Sequence, residues 1–260
     1  MGKRRSRWCE NTYLRYLEEG RGQGSGKDYK PWIYIQDFPS QGVCSRIYSE
    51  KTGRIHHLLS RNEEHFFHII INDPDVIDVR EQFPLRLSET LDIANKLGVR
   101  HPKIGNFPFV LTSDFFIVRK DRIQVRTIKM VSELEKLRVR EKFSIEYTYW
   151  KSKSIEWKII TENEINVAKA LNYKWLNESP LPCTIIEDRH VLDNCEELFM
   201  KLYFETDIPF TSICSGLEEH YMLPSGTGLL VFKSLVLSGK IPLDLSLPID
   251  PVEPRVSHRR

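Results

Sequence analysis

Cysteine is scarce in this sequence and is not arranged as a site. The 260 residues include five cysteines, with no Cys-x-x-Cys pair and no Cys/His cluster among them. This spacing argues against a structural zinc site and against a disulfide framework, so we expect free thiols in a cytosolic protein. The polar, basic start lacks the apolar segment of a secretory signal, which agrees with a cytoplasmic location.

Long hydrophobic runs and a strong charge imbalance are also missing. The most apolar segment, residues 228–237, is too short to span a bilayer and contains Lys233, so no membrane partner is expected. With 40% apolar residues, 28% charged residues and a formal net charge of +2, the composition is that of an ordinary globular protein. Basic residues outnumber acidic ones within the first 60 residues, which fits either phosphate contacts or a solvated surface.

Motifs for nucleotide binding and for nucleophilic catalysis are absent as well. The glycine-rich run at residues 20–27 is not a P-loop, because Arg21 stands at the position of the first glycine and Asp28 follows Lys27. The run is either a mobile surface linker or a cationic loop that follows a nucleic-acid backbone. No local Ser-His-Asp or Cys-His pattern stands out, and the histidines at 56–57 are interpreted as structural or phosphate-facing.

Helix and strand patterns alternate over residues 1–176, which predicts an α/β domain with a mixed central sheet. The proline-containing segment at residues 177–182 is typical of an interdomain linker. Helical stretches at residues 193–205, 209–221 and 225–238 then precede an extended stretch at 241–247. Three helices and a wing predict a small winged-helix-like domain over residues 177–247. Residues 248–260 are expected to form a disordered tail.

The most informative polar residues lie on a predicted β-hairpin. Residues 110–118 form its first arm, 119–122 a charged turn and 123–128 its second arm, in which apolar and polar residues alternate. Because strand side chains alternate between faces, Gln124 and Arg126 point the same way. We interpret Asp114 as facing this pair, in the layout of a restriction-endonuclease-like nuclease site.

Glu63 is the second candidate acid. Ser60 and Glu63 form a capping box that opens a helix through about residue 71. In that motif the carboxylate reaches back to the helix start, which is a structural role. A first-turn carboxylate also projects beyond the start of the helix, so a role in binding a metal is geometrically open too.

Hydrolysis of a phosphodiester in such a site needs one or two Mg²⁺ ions held by carboxylate and carbonyl oxygens. We therefore predict that Glu63, Asp114 and the amide oxygen of Gln124 are metal ligands, with Arg126 as the fourth site residue. The competing interpretation is that Asp114 is a strand-edge charge paired with Arg126.

A series of short motifs runs in order along residues 10–176: Glu19–Gly24, Lys27–Tyr29, Pro31–Trp32, Arg46–Ser49, Lys51–Arg54, His56–Ser60, Arg80–Leu85, His101–Pro102, Ser113–Phe115, Tyr149–Trp150 and Trp157–Ile165. These motifs resemble the N-terminal part of the TnsA family, the endonuclease subunits of the heteromeric transposases of bacterial cut-and-paste transposons. The C-terminal part resembles the family only in broad plan, as a small helical domain of winged-helix type.

The resemblance implies an activity and partners. It implies a restriction-endonuclease-like domain that hydrolyses the 5′ strand at each transposon end with Mg²⁺, for which Mn²⁺ can substitute. It further implies a TnsB transposase that cuts and joins the 3′ strand, and an ATP-driven TnsC regulator. By position, Glu63 falls on the helix-borne catalytic acid, Asp114 on the metal-ligating aspartate and Gln124 on an acid-or-amide position.

Arg126 departs from the family pattern, which has lysine at that place. Arginine stays protonated, whereas a buried lysine can release its proton and act as a base. Arg126 would still be able to orient water or stabilise the pentavalent phosphate. Lys129 is an alternative, but it is three residues on and therefore on the opposite strand face unless a bulge intervenes. An active endonuclease, a cleavage-impaired scaffold that binds DNA, TnsB and TnsC, and a stand-alone nuclease are the three alternatives.

The helix expected at residues 225–238 occupies the recognition-helix position of a winged helix. It contains a single charge, Lys233, and is apolar on nearly every face. A helix that reads a major groove presents Arg, Lys, Asn or Gln to the bases. The pattern therefore favours protein contact over base reading, and the resemblance implies TnsC as that contact.

Overall fold

A computed structural model describes residues 8–37 and 43–249. The chain divides into two compact units, the first ending at Ile165 and the second beginning at Asn166. The boundary was expected after residue 176, but the division lies earlier. Leu176 is buried in the core of the second unit, so the chain enters that unit before residue 176. Nearly all of the tail expected to be disordered, from residue 250 onward, falls outside the described residues.

The elements of the first unit are, in chain order, α1 (Glu10–Glu18), β1 (Ser45–Ser49), β2 (Arg54–Leu58), α2 (Arg61–Ile71), β3 (Val76–Pro84), α3 (Leu87–Leu97), β4 (Lys103–Ile104), β5 (Phe107–Pro108), β6 (Thr112–Arg119), β7 (Ile123–Ile128), α4 (Val131–Leu134), α5 (Leu137–Ser152) and β8 (Glu156–Ile160). The central sheet has four strands in the order β3-β6-β7-β8. β3, β6 and β7 pair antiparallel, and β8 joins β7 in parallel. The predicted mixed sheet is therefore confirmed, and it fits a nuclease fold.

Each face of this sheet has its own hydrophobic core. Phe115 and Ile117 on β6 pack with Phe67 of α2 on one face. Phe116 and Trp150, from β6 and α5, belong to the core on the other face. Since neighbouring β6 residues enter different cores, the strand is covered on both sides, which its nearly continuous apolar sequence requires.

The glycine-rich run after α1 is anchored to the fold through Arg21, whereas its other cation, Lys27, is exposed. Arg21 is buried, and its guanidinium lies 3.5 Å from the centre of the Tyr16 ring. The same side chain donates to the Trp32 carbonyl at 3.0 Å and to the Asp37 carboxylate at 2.5 Å. Arg21 therefore fixes the fold locally and is not available to a nucleic-acid backbone.

The second unit contains α6 (Val167–Asn177), α7 (Arg189–Glu205), α8 (Phe210–His220) and α9 (Thr227–Leu237). Between Asn166 and Ile249 no strand forms, so the wing expected at residues 241–247 is not seen and a winged-helix fold is not confirmed. Phe232 of α9 stacks on Phe210 at 4.2 Å between ring centroids. None of the described helices is long and apolar enough to cross a membrane.

Helix α9 is buried, as its apolar sequence predicts. The one charged residue on it, Lys233, is 6% exposed. Its ammonium donates to the Trp175 carbonyl and to the Ser179 hydroxyl, both at 2.7 Å, and lies 4.1 Å from the centre of the Trp175 ring. Lys233 therefore stabilises the second unit from within and does not face DNA.

Candidate active site

Strand β3 changes direction at Gln82, a non-glycine residue with a φ of 48°. Its neighbours Glu81 and Phe83 point to opposite faces of the sheet, although they are two positions apart. Glu81 contacts His56 on β2 at 2.8 Å, and Phe83 stacks on Phe116 at 4.5 Å between ring centroids. In a regular strand the two side chains would share a face. The left-handed conformation of Gln82 interrupts the alternation.

Strand β6 shows the same irregularity at Asp114, which lies opposite Gln82 in the register. Ser113 faces helix α5, whereas Phe115 packs into the core on the α2 side. The Asp114 Oδ2 atom accepts a hydrogen bond from the backbone N–H of Ile128 at 2.7 Å. The carboxylate thus takes the place of a backbone partner where the pairing of β6 with β7 ends.

Glu63 reaches the same place from the first turn of α2. The Ser60 hydroxyl accepts from the Glu63 N–H at 3.2 Å and donates to its Oε1 at 2.8 Å, so Ser60 caps the helix as predicted. The carboxylate of Glu63 bonds to the backbone N–H of Leu59, one residue earlier than a capping box requires. The Gln82 amide nitrogen then lies 3.4 Å from Glu63 Oε2 and 3.2 Å from Asp114 Oδ1.

Glu63 is buried and Asp114 is half-buried, and the two carboxylates repel each other when both are ionised. Burial raises the pKa of Glu63, and the charge of Asp114 raises it further, to about 8. Burial also raises the pKa of Asp114, while the charges of Lys142 and Lys129 act to lower it. A pair of acids that resists carrying two negative charges is stabilised by a bound cation.

The charges of two lysines on different elements act on Asp114. Lys129 follows the last residue of β7, and its backbone N–H donates to the Ile160 carbonyl at 3.0 Å. Lys142 lies in α5, one turn before the buried Glu146. Both ammonium groups lower the pKa of Asp114, with Lys142 the stronger. The site therefore combines two acids with two cations, which suits a metal ion and a phosphate.

The expectation that Asp114 faces Gln124 and Arg126 is wrong. The register places Gln124 opposite Ile117 and Arg126 opposite Phe115, in the part of the hairpin that pairs regularly. The Asp114 carboxylate instead bonds to the Ile128 N–H at the end of β7 and lies 3.2 Å from the Gln82 amide nitrogen.

Gln124 and Arg126 belong to a separate polar cluster around Glu156 of β8. The Gln124 amide donates to Glu156 at 2.8 Å and accepts from Arg119 at 2.7 Å, so both of its ends are occupied. Arg126 donates to Glu156 at 2.9 Å. The bond from Gln124 and the charges of Lys158 and Arg126 hold the pKa of Glu156 at about 2, which makes this cluster a stable structural pairing.

A third buried carboxylate, Glu146, supports the site from beneath. Its Oε1 atom accepts hydrogen bonds from Ser113 at 2.6 Å, Thr127 at 2.5 Å and Trp157 at 2.9 Å. Burial raises the pKa of Glu146. Because Ser113 precedes Asp114 and Thr127 lies two residues before Lys129, this bond network fixes both site-bearing strand ends against α5.

The fully buried Glu81 anchors the other side of the Gln82 turn. It accepts two hydrogen bonds from Arg54, at 2.8 and 2.6 Å, and contacts His56 at 2.8 Å. Burial alone would raise its pKa, but the charges and hydrogen bonds of His56 and Arg54 hold the pKa at about 2. This histidine is thus structural, which agrees with one of the two roles expected for it.

The donor set fits a hard divalent cation. Glu63 and Asp114 offer carboxylate oxygens within reach of one amide group, and Mg²⁺ in proteins is commonly bound by one or two carboxylates with water completing its shell. Within the described residues, no cluster of three or more His, Cys, Asp and Glu side chains is suited to a metal ion. Further ligands would therefore be water, backbone carbonyls or substrate oxygens.

Gln82 is the site residue that sequence reasoning missed. A signal for it was present, because Gln82 is a polar residue within Arg80–Leu85, one of the segments that resemble the TnsA family. Lys129 was considered and placed on the face opposite Arg126. That placement agrees with the alternation along β7, but the direction of the Asp114 side chain could not be taken from the sequence.

Comparisons with known proteins identify the family of this chain. The TnsA-like endonuclease N-terminal family matches residues 73–162, and the TnsA endonuclease C-terminal family matches residues 164–245. The chain is 37% identical over 251 residues to the transposition protein TnsA of transposon Tn7 from Escherichia coli, a match that covers 94% of this chain and 90% of that relative. The junction of the two family matches lies within a few residues of the division between the structural units. On this evidence of sequence similarity, the chain belongs to the TnsA family of transposase endonuclease subunits.

Proposed function

We propose that this protein hydrolyses the 5′ strand at the ends of a transposon, with Mg²⁺ held by Glu63 and Asp114 in a restriction-endonuclease-like domain. The observation that carries the proposal is the meeting of the buried Glu63 and the half-buried Asp114 at Gln82, where the charges of Lys142 and Lys129 act on Asp114. The family membership of the chain supplies the substrate class, because this family cuts transposon DNA.

The proposed division of labour follows from the positions of the side chains. A metal ion bound here would lower the pKa of its water and neutralise charge on the phosphate. Lys129 orients the attacking water or stabilises the pentavalent phosphate, since it follows the strand end that Asp114 fastens. Lys142 contacts a phosphate oxygen from the α5 side. Gln124 and Arg126 are left out of the reaction because Glu156 holds both.

The proposed partners are transposon-end DNA, a TnsB transposase and a TnsC regulator. A TnsB-type partner would cut the 3′ strand and read the end sequence, so this chain needs few base-specific contacts of its own. The second unit is proposed to bind protein, because its most apolar helix is buried and its lysine is used internally. A winged-helix fold for that unit is not part of the proposal.

The test is reconstitution of this chain with the TnsB and TnsC proteins of the same transposon, on end-labelled DNA with Mg²⁺. Nicks in the 5′ strand by the native chain, lost in Asp114→Asn and in Glu63→Gln, are the expected result. Arg126→Lys is expected to cut as the native chain does. If the native chain makes no nicks while TnsB still cuts the 3′ strands, the chain is a scaffold and the proposal is wrong.

A further inference from the structure

Both acids of the site, Glu63 and Asp114, contact the side-chain amide of Gln82. Its amide nitrogen lies within hydrogen-bonding distance of both Glu63 and Asp114, and its side-chain oxygen accepts from the Thr112 hydroxyl at 3.1 Å. The side chain is 2% exposed. An ionised carboxylate accepts hydrogen bonds and donates none, so in the metal-binding state, with both acids ionised, the amide presents its NH₂ group to them. The Thr112 hydroxyl fixes that orientation.

The backbone at Gln82 is held in place by neighbours outside the site. A residue other than glycine rarely adopts a φ of 48°, and it does so only where its surroundings impose the conformation. The N–H of Trp32 donates to the Gln82 carbonyl at 3.2 Å, and the Tyr29 hydroxyl donates to the Glu81 carbonyl at 3.0 Å. Segment 29–32 and the buried Glu81 together maintain this turn.

We propose that Gln82 is a positioning residue that keeps the Glu63 and Asp114 carboxylates side by side, so that the site is assembled before the metal ion arrives. Metal binding ionises both acids, which then repel each other, and without this amide they would share no hydrogen-bond donor that opposes their separation. The ion would then have to bring them together at the expense of its own binding energy. This inference rests on the proposed metal-dependent function.

Three substitutions separate the role of the Gln82 side-chain amide from the role of the backbone conformation at this residue. Gln82→Gly removes the amide and tolerates the left-handed conformation, since glycine has no Cβ. Gln82→Asn keeps an amide on a residue that also accepts positive φ, but with a shorter reach. Thr112→Val removes only the hydroxyl that orients the amide. Ser154→Gly is the matched control, because Ser154 is exposed, has a φ of 56° and lies outside the site.

The experiment measures Mn²⁺ binding to the full chain by titration calorimetry, with circular dichroism as the check on folding. Gln82→Gly is expected to lower the affinity by roughly 10–100-fold, the range for groups that support metal ligands. Gln82→Asn and Thr112→Val are expected to lower it less. Ser154→Gly is expected to leave it unchanged.

Two results would overturn the inference in distinguishable ways. If Gln82→Gly folds and binds Mn²⁺ as the native chain does, while Asp114→Asn abolishes binding, Gln82 does not position the acids but the metal site stands. If Asp114→Asn binds as tightly as the native chain, or if neither binds, the proposed metal site itself is wrong. Should Gln82→Gly fail to fold, Thr112→Val and Gln82→Asn decide between these outcomes.

Discussion

The Asp114 carboxylate accepts a hydrogen bond from the Ile128 backbone N–H at 2.7 Å, where β6 and β7 stop pairing. This contact changes which basic residue is assigned to the site, from Arg126 to Lys129. It brings the residue after Ile128, which is Lys129, to the acid, and it leaves Arg126 in the regular hairpin with Glu156.

The first prediction compares the two cations. Lys129→Met is expected to lower 5′-strand cleavage by about 100-fold or more, because a group that stabilises the transition state typically contributes that much. Arg126→Met is expected to change cleavage little and to cost about 1 kcal/mol of stability or less, since Glu156 is partly exposed. Cleavage rates in the reconstituted reaction and urea denaturation check both. Loss of cleavage in Arg126→Met with retention in Lys129→Met would restore the assignment made from the sequence.

The second prediction concerns pH and the metal-free protein. Glu63 has a pKa of about 8 in the folded chain against an ordinary value of 4.5, so between these values the folded state binds the additional proton. Stability without metal is therefore expected to fall as the pH rises through this window. Glu63→Gln should remove much of that slope. Denaturant unfolding in EDTA at pH values of about 5, 6.5 and 8 measures how stability depends on pH.

The same protonation predicts how Mg²⁺ behaves in this experiment. Because the ion favours ionised ligands, it should stabilise the native chain more at the upper end of the window and release protons on binding. Asp114→Asn should remove this stabilisation. Stability that is independent of pH in the native chain would show that Glu63 is ionised throughout.

The third prediction concerns the buried network behind Gln82. Glu81 has a pKa of about 2 in the folded chain against 4.5 ordinarily, so its contribution is present above pH 4.5 and is lost as the pH falls toward 2. Glu81→Gln is expected to destabilise the first unit by about 3–5 kcal/mol at neutral pH, because Arg54 is left buried without its partner.

Glu89→Gln is the matched control for Glu81→Gln. Glu89 pairs with Lys153 at 2.8 Å but is partly exposed, so a change of about 0.5 kcal/mol or less is expected. Equal losses of stability in the two variants would show that the buried Glu81 network contributes no more than the partly exposed pair of Glu89 and Lys153. Thermal unfolding of the full chain at neutral pH measures both.

The fourth prediction concerns the second unit. Lys233→Met is expected to cost about 1–3 kcal/mol of stability, since the Trp175 carbonyl and the Ser179 hydroxyl lose their donor. DNA affinity and its salt dependence should stay unchanged, because a buried lysine neutralises no phosphate. A reduced salt slope in a DNA-binding titration would mean that Lys233 reaches DNA after all.

The hairpin and the mixed sheet were predictable because alternation and turn residues are local signals. The site was predictable only in part. Glu63 and Asp114 could be chosen as acids of suitable type, but the facing of Asp114 depends on an interruption of β6 that matches a left-handed residue on β3. Gln82 and Asp114 are 32 residues apart in the sequence. The irregularities of their two strands must coincide, and no local sequence pattern encodes such a tertiary match.

The winged-helix expectation for the C-terminal part was not confirmed for a similar reason. Residues 241–247 have the composition of a short strand, but among residues 166–249 they form only an isolated β-bridge at Leu243 and no strand. Thr161 and Glu164 have the spacing of a capping box, which predicts a helix start at this point. Their hydrogen bond forms, but α6 begins later, at Val167 with Asn166 as its cap. A capping-box pattern shows that its residues can form the capping hydrogen bonds, but it does not determine the residue at which the helix begins.

Glu63 and Asp114 each carry a structural duty besides the proposed chemistry, since one caps α2 and the other fastens the end of β7. A descendant of this chain that had lost cleavage would therefore still gain stability from keeping both acids. Their presence in a related sequence is a poor indicator of activity. Lys129 is the better one, because its ammonium has only a loose pairing, 3.9 Å from Glu133, to preserve it for structural reasons.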